Sequence, residues 1–358
     1  MMNTTPTIFN AAVPSYTVVG GEERRAATGL TAVILNRQGR YPRRTFFQEL
    51  EKTGFDNVVS IESSSEIYDV EELSGRFPFL RFILPKTELT LGEKINLAAL
   101  EIENPLFFVL WNDLKFIAGG TAARMVERLS CVNDEGEVNG KKSNRFKRLC
   151  TVPVILNSRY EILPTIITPV SQRKKMRTLL MEPGVEGMAS LYPFDGVGIY
   201  DRKRFISLGG FDNSLKNAHW QSMDFGFRAY LWGEQIALGQ QIKLSYDGQM
   251  PVEDSTAEAS YRRFYLKNIA PVLLGNYAHL PLRRFLIYLL KSGEDPLTAW
   301  EIFSECRLWV KSNRLRWQKD AQGVIERWNG TVDFSNGGQS YYSLTDNVPS
   351  QEGSNCLP

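Results

Sequence analysis

Four short apolar runs, each stopping at a polar residue or a proline, constrain this chain more than any other feature. They read LTAVILN at 30–36, NVVSIES at 57–63, LRFILP at 80–85 and PLFFVLWND at 105–113. Their apolar stretches are continuous rather than alternating, so neither face of these strands is meant for water. Strands of that kind need helices on both faces, and the intervening segments provide them. Phe46, Phe47 and Leu50 fall at helical spacing behind Pro42, which suits a first helical turn, and Gly54 is a stop signal. Between the third and fourth runs, Leu91, Ile95, Ala98, Ala99 and Ile102 line one face of a helix. The alternation predicts an α/β fold: a mainly parallel sheet flanked by helices.

Ligands of such sheets bind beyond the carboxyl ends of the strands. Asn36, Glu62 and Asp113 stand at those ends. Further on, 152–157 (VPVILN) and 241–248 (QIKLSYDG) read as strands, and 222–236 reads as a helix closed at Gly233. Residues 130–150 are polar, charged and glycine-containing, and read as an excursion from the core. The basic run at 171–177 holds Arg173, Lys174 and Lys175, which suit either phosphates or a solvated face.

The character changes near residue 258. From Tyr261 to Gly330 there are 12 Lys or Arg against 6 Asp or Glu, in a helical pattern. The expected organisation is a leader over 1–28, a catalytic-type domain over 29–257, a basic helical extension over 258–330 and a Ser/Asn/Gly-rich tail over 331–358. Within the extension, LPLRRFLIYLLK joins two arginines to an apolar stripe; it suits packing on the domain or contact with an anionic membrane surface.

Composition excludes several classes. A net charge of +2 over 358 residues does not describe a nucleic-acid binder. The two histidines, His219 and His279, lie too far apart in sequence for a His-rich zinc motif. Four cysteines without a CxxC pair, no signal-peptide pattern and no apolar run of membrane-spanning length lead to an expected cytoplasmic location.

The order of the motifs resembles the family 2 glycosyltransferases of the GT-A fold, over roughly residues 30–250. The resemblance rests on ILN at the first strand, IESSS at the second, LGEKINLAAL with Gly92 and Asn96, and FFVLWND. GGFD at 209–212, followed by MDFGFRAYLWGE at 223–234, is its most specific part. It implies transfer of a sugar, a hexose by type, from a nucleotide-diphosphate donor to a glycan or lipid-linked acceptor, with inversion. It assigns Asn36, Glu62, Asn96, Asn112 and Asp113 to the donor, and Gly210, Asp212 and Trp220 to the acceptor or sugar. It also implies manganese or magnesium at Asp113, although Trp111 and Asn112 depart from the family's Asp-x-Asp pattern and leave one carboxylate. Asp224 matches the base that removes the acceptor's proton. Met223 replaces the acid that precedes it, and Arg228, one turn later, can pair with Asp224 and weaken it as a base. Two other readings stand beside this one. A sugar nucleotidyltransferase shares the layered sheet, but LNRQGRYPRR carries only one glycine where such enzymes have a glycine-rich loop. A degenerate relative would bind nucleotide or glycan without turnover.

Overall fold

The computed structural model describes residues 13–21, 28–37, 43–62, 69–117, 121–134, 137–138, 141–142, 148–172, 175–246, 248, 250–326, 328 and 342–343. Strand β1 (Tyr16–Gly20) leads into β2 (Leu30–Leu35), α1 (Arg43–Thr53), β3 (Asn57–Ile61), α2 (Val70–Arg76) and β4 (Leu80–Pro85). Then come α3 (Leu91–Glu101), β5 (Leu106–Trp111), β6 (Leu114–Phe116) and α4 (Ala122–Asp134). A small hairpin, β7 (Glu137–Val138) and β8 (Lys141–Lys142), precedes β9 (Cys150–Asn157), β10 (Ile166–Gln172) and β11 (Lys175–Met181). Next are β12 (Gly198–Asp201), α5 (Arg202–Leu208), α6 (Ala218–Leu231) and β13 (Ile236–Tyr246). The C-terminal part is α7 (Ala259–Phe264), β14 (Val272–Leu274), β15 (Tyr277–His279), α8 (Arg283–Ser292), α9 (Pro296–Asn313), α10 (Ala321–Glu326) and β16 (Tyr342–Ser343).

The nine-stranded central sheet has the order β1-β4-β3-β2-β5-β12-β9-β13-β6. Pairs β4–β3, β3–β2, β2–β5 and β9–β13 are parallel, while β12 runs antiparallel to both its neighbours. All six residues of β2 are buried, as a strand covered on both faces requires. Alternate residues feed two cores. Leu30, Ala32 and Ile34 meet Phe46, Phe47 and Leu50 of α1, while Val33 and Leu35 join Ile95, Ala98 and Ala99 of α3. Helix α3 opens with a capping box, in which Thr90 accepts from the Glu93 amide and Glu93 accepts from the Thr90 amide.

Two segments differ from the sequence reading. Tyr16–Gly20, placed in the leader, pairs residue by residue with β4 as an antiparallel edge strand. Residues Ile166–Met181 form a long hairpin, β10 with β11, not read from sequence because Pro169 and the polar turn broke the pattern. Of the basic run, Arg173 and Lys174 lie outside the described residues.

Candidate functional site

The parallel strands end where the sequence placed them, and Asn36, Arg37, Glu62, Asn112 and Asp113 follow directly. Arg37 is the centre of this edge. Its Nε lies 2.7 Å from Asp113 Oδ2, and its Nη2 is in contact with Asp195 Oδ2. Its guanidinium lies over the Trp111 ring at 4.2 Å and within 5.7 Å of the Tyr246 ring. The Arg37 amide donates to Asn112 Oδ1 at 3.1 Å, and Trp111 Nε1 donates to the Asp195 carbonyl at 3.0 Å. Trp111 therefore fixes both the cation and the turn that carries its second carboxylate.

Asp195 sits in the tight turn Phe194–Gly196 with φ of 54°, a left-handed backbone that Asp tolerates better than most residues. Burial pushes its carboxyl up to about 7 despite the opposing pull of Arg37, and Glu253 and Asp113 add to the rise. Burial also raises Asp113, with Arg37 pulling the other way. For Arg37 itself, burial favours the neutral form, but Asp195 and Asp113 more than reverse this. The result is a half-buried cation held by two carboxylates, each of which protonates more readily than usual.

The residues expected on the nucleotide side are close to this edge but occupied. Glu62 accepts from Ser60 Oγ at 2.6 Å and lies 2.9 Å from Arg43 Nη2. Asn36 Nδ2 donates to the Ile61 carbonyl at 3.0 Å, tying β2 to β3. Lys94 at the start of α3 lies near Glu62; burial lowers its pKa against the pull of Glu88 and Glu62.

The GGFD turn, expected on the acceptor side, is an internal joint in this fold. Asn96 clamps it, accepting from the Phe211 amide and donating to the Phe211 carbonyl, both at 2.8 Å. Gln221 accepts from the Gly92 amide at 2.9 Å and donates to the Asp212 carbonyl at 3.0 Å. The Gly210 carbonyl accepts from Arg228 at 2.7 Å. Asp212 pairs with Lys267; burial pushes its carboxyl up, and the ammonium more than reverses that to hold it low. Trp220 Nε1 donates to the Thr256 carbonyl at 2.8 Å, and its ring packs on Tyr261 and Phe264. Asn96, Gly210, Asp212 and Trp220 thus hold the protein to itself.

Asp224, the residue expected to act as base, is enclosed in this fold. Its side chain and that of Arg228 are both 0% exposed. Oδ2 accepts from Arg228 Nη2 at 2.8 Å and Nε at 3.2 Å, and Oδ1 accepts from Asn268 at 2.7 Å. A base must reach the acceptor hydroxyl, and this carboxylate is sealed beneath the turn.

A second cluster, which spacing did not single out, lies at the start of α6. His219 Nδ1 is 2.7 Å from Glu253 Oε2, and Tyr192 donates its hydroxyl to the same oxygen at 2.6 Å.

The surroundings of Asp113 bear on whether a divalent cation could sit there. Among the described residues no three His, Cys, Asp or Glu side chains converge as a metal set. The space between Asp113 and Asp195 is taken by the Arg37 guanidinium. As arranged, these residues do not fit a resident divalent ion.

No protein-family profile and no curated protein matches this sequence. Among solved structures, the chain is similar to GalNAc-T7, solved with UDP, GalNAc and Mn2+, at a TM-score of 0.53 and 13% identity over 83% of this chain. The match spans 56% of the GalNAc-T7 chain, little more than half its length. It is also aligned with S. aureus TarS 1–349 in complex with UDP (TM-score 0.41, 14% identity, 77% of this chain and 70% of that one). A third is the mannosyltransferase PcManGT from Pyrobaculum calidifontis with GDP-Man and Mn2+ (TM-score 0.40, 10% identity, 85% and 76%). The first likeness defines the class: a GT-A fold, a mostly parallel sheet between helices, with helices at its C-terminus.

Proposed function

We propose that this chain is a glycosyltransferase that moves a sugar from a nucleoside-diphosphate donor to a glycan or lipid-linked acceptor of the cell surface. The observation that carries the reading is Arg37, poised beyond β2 between Asp113 and Asp195 in a GT-A fold. Charge builds on the leaving diphosphate as the anomeric bond breaks, and a planar guanidinium with five donors suits phosphate oxygens. Asp195 can yield Arg37 to that anion, because a carboxyl raised to about 7 by burial gives up its hold at low cost, and burial raises Asp113 in the same direction. Manganese or magnesium, implied by the resemblance, would have to displace Arg37, and no step here runs through it. Hexosyl transfer and inversion belong to the same reading. Residues 29–257 carry the transfer in this proposal, and 258–330 form the basic extension.

The extension favours contact with a membrane surface. Leu286 and Leu290 of α8 are 64% and 85% exposed, with exposed Arg283 and Lys291 beside them. No helix among the described residues is long and apolar enough to cross a membrane. The second reading, binding without turnover, draws on the enclosure of Asp224. Release of nucleoside diphosphate from UDP-, GDP-, CDP- and dTDP-sugars separates the two. Turnover of one donor, lost in Arg37→Ala, supports the transferase. Tight binding with no release supports the binder.

A further inference from the structure

With Asp224 sealed, the transfer needs another group to take the acceptor's proton. We propose that His219, oriented by Glu253, is that base; the assignment rests on the glycosyltransferase reading above. His219 is the second residue of α6, whose first turn is capped by Asn217 accepting from the Trp220 amide at 3.1 Å. Glu253, on the segment after β13, receives two hydrogen bonds on one oxygen. Tyr192 is one donor, and burial, then Glu253, keeps its hydroxyl protonated. An ionised carboxylate only accepts, so Nδ1 carries its hydrogen toward Glu253. In the neutral ring this leaves the lone pair on Nε2; the His219 side chain is itself 3% exposed, but Nε2 has no partner among the described residues, whereas both oxygens of Asp224 are hydrogen-bonded. The Tyr192 hydroxyl lies 3.4 Å from Nδ1 and stays directed at Glu253. The pair is the orienting carboxylate and imidazole that a general base needs.

The placement joins this pair to the Arg37 cluster. Tyr192 contacts Glu253, and Asp195, three residues further along the same segment, contacts Arg37, so one turn carries a member of each cluster. The other groups facing His219 are Tyr192, which precedes β12, Asp254 on the Glu253 segment, whose carboxyl is held low by hydrogen bonds from Thr256, and the Trp220 ring at 4.7 Å. The step balances. The acceptor O–H gives its proton to Nε2 as its oxygen bonds to the anomeric carbon. The bond from that carbon to the diphosphate breaks, and the diphosphate leaves with the electron pair, facing Arg37.

The test uses the full chain and the sugar nucleotide that it turns over. His219→Ala is expected to lower kcat by about 10²–10⁴. KM for the donor and binding of the nucleoside diphosphate stay within a factor of two. Added imidazole restores a measurable part of kcat in His219→Ala and has no effect on the wild type. Glu253→Gln lowers kcat with the donor KM unchanged, and His279→Gln keeps full turnover. If His219→Ala keeps wild-type kcat, or loses it without imidazole rescue while its thermal melt is unchanged, the assignment is wrong. If His219→Ala unfolds, His219→Gln is measured instead and must show the same kcat loss with donor binding kept. Should the wild type neither bind nor turn over any donor, the function reading falls and the base assignment with it.

Discussion

Asp224→Asn separates a sealed structural carboxylate from a catalytic one. In the fold, two cations, Arg228 and Lys267, share two carboxylates, Asp212 and Asp224. The substitution is isosteric but removes one negative charge. Arg228 keeps its bonds to the Leu208 and Gly210 carbonyls, while the two bonds to Asp224 lose their charge assistance. Both partners are fully enclosed, so no water replaces the lost charge. Breaking a buried pair of this kind costs about 3–5 kcal/mol. At about 2.1 cal/mol/K per residue, 358 residues have an unfolding entropy near 0.75 kcal/mol/K, so Tm should fall by about 4–7 °C. Differential scanning calorimetry at pH 7, beside a turnover assay at a temperature where both proteins are folded, reads the two effects. The expected outcome is a lower Tm with kcat reduced less than tenfold. A variant that melts with the wild type yet loses turnover would refute the reasoning and return Asp224 to the reaction.

Three more outcomes follow. Gly226→Ala should destabilise by about 1–3 kcal/mol in urea unfolding, because an added Cβ would stand 2.3 Å from the Leu191 carbonyl oxygen, and backbone cannot step aside; unchanged stability would contradict that packing. Asp195 holds its proton to about pH 7 when folded, against 3.8 for a free carboxyl. Its contribution to stability is therefore full below about pH 4 and declines as pH rises toward 7, and Asp195→Asn should lack that decline in melts across this window. Leu286→Glu with Leu290→Glu should abolish flotation with phosphatidylglycerol vesicles while leaving Tm within 2 °C, since both side chains face outward; flotation unchanged would dismiss the membrane surface.

The parallel strands were legible because a strand covered on both faces must be mainly apolar, and β2 to β5 are, with Thr31, Asn57, Ser60 and Arg81 as their only polar residues. Strand β1 was not, because it is an edge strand with only partial burial and a polar surround. The place of Asp113 just beyond the end of β5 was legible from its apolar run. Arg37 was hidden among the charges of its loop, and its partner Asp195 lies 158 residues away, a pairing that only the fold creates. For Asp224 the spacing to Arg228 was legible, but not its enclosure. Trp220, Met223, Phe227, Tyr230 and Leu231 share one face of α6, so the pattern reads as an amphipathic helix, and burial of its polar side comes only from the fold. The His219–Glu253 pair left no local signal, since 34 residues and a whole strand separate its members.

Calorimetric titration of the full chain with UDP, GDP, CDP and dTDP, each with and without manganese, tests the central claim most directly. The account predicts that one nucleotide binds without needing manganese and that Arg37→Ala removes the binding. Binding that persists in Arg37→Ala, or no binding by any of the four, would contradict it.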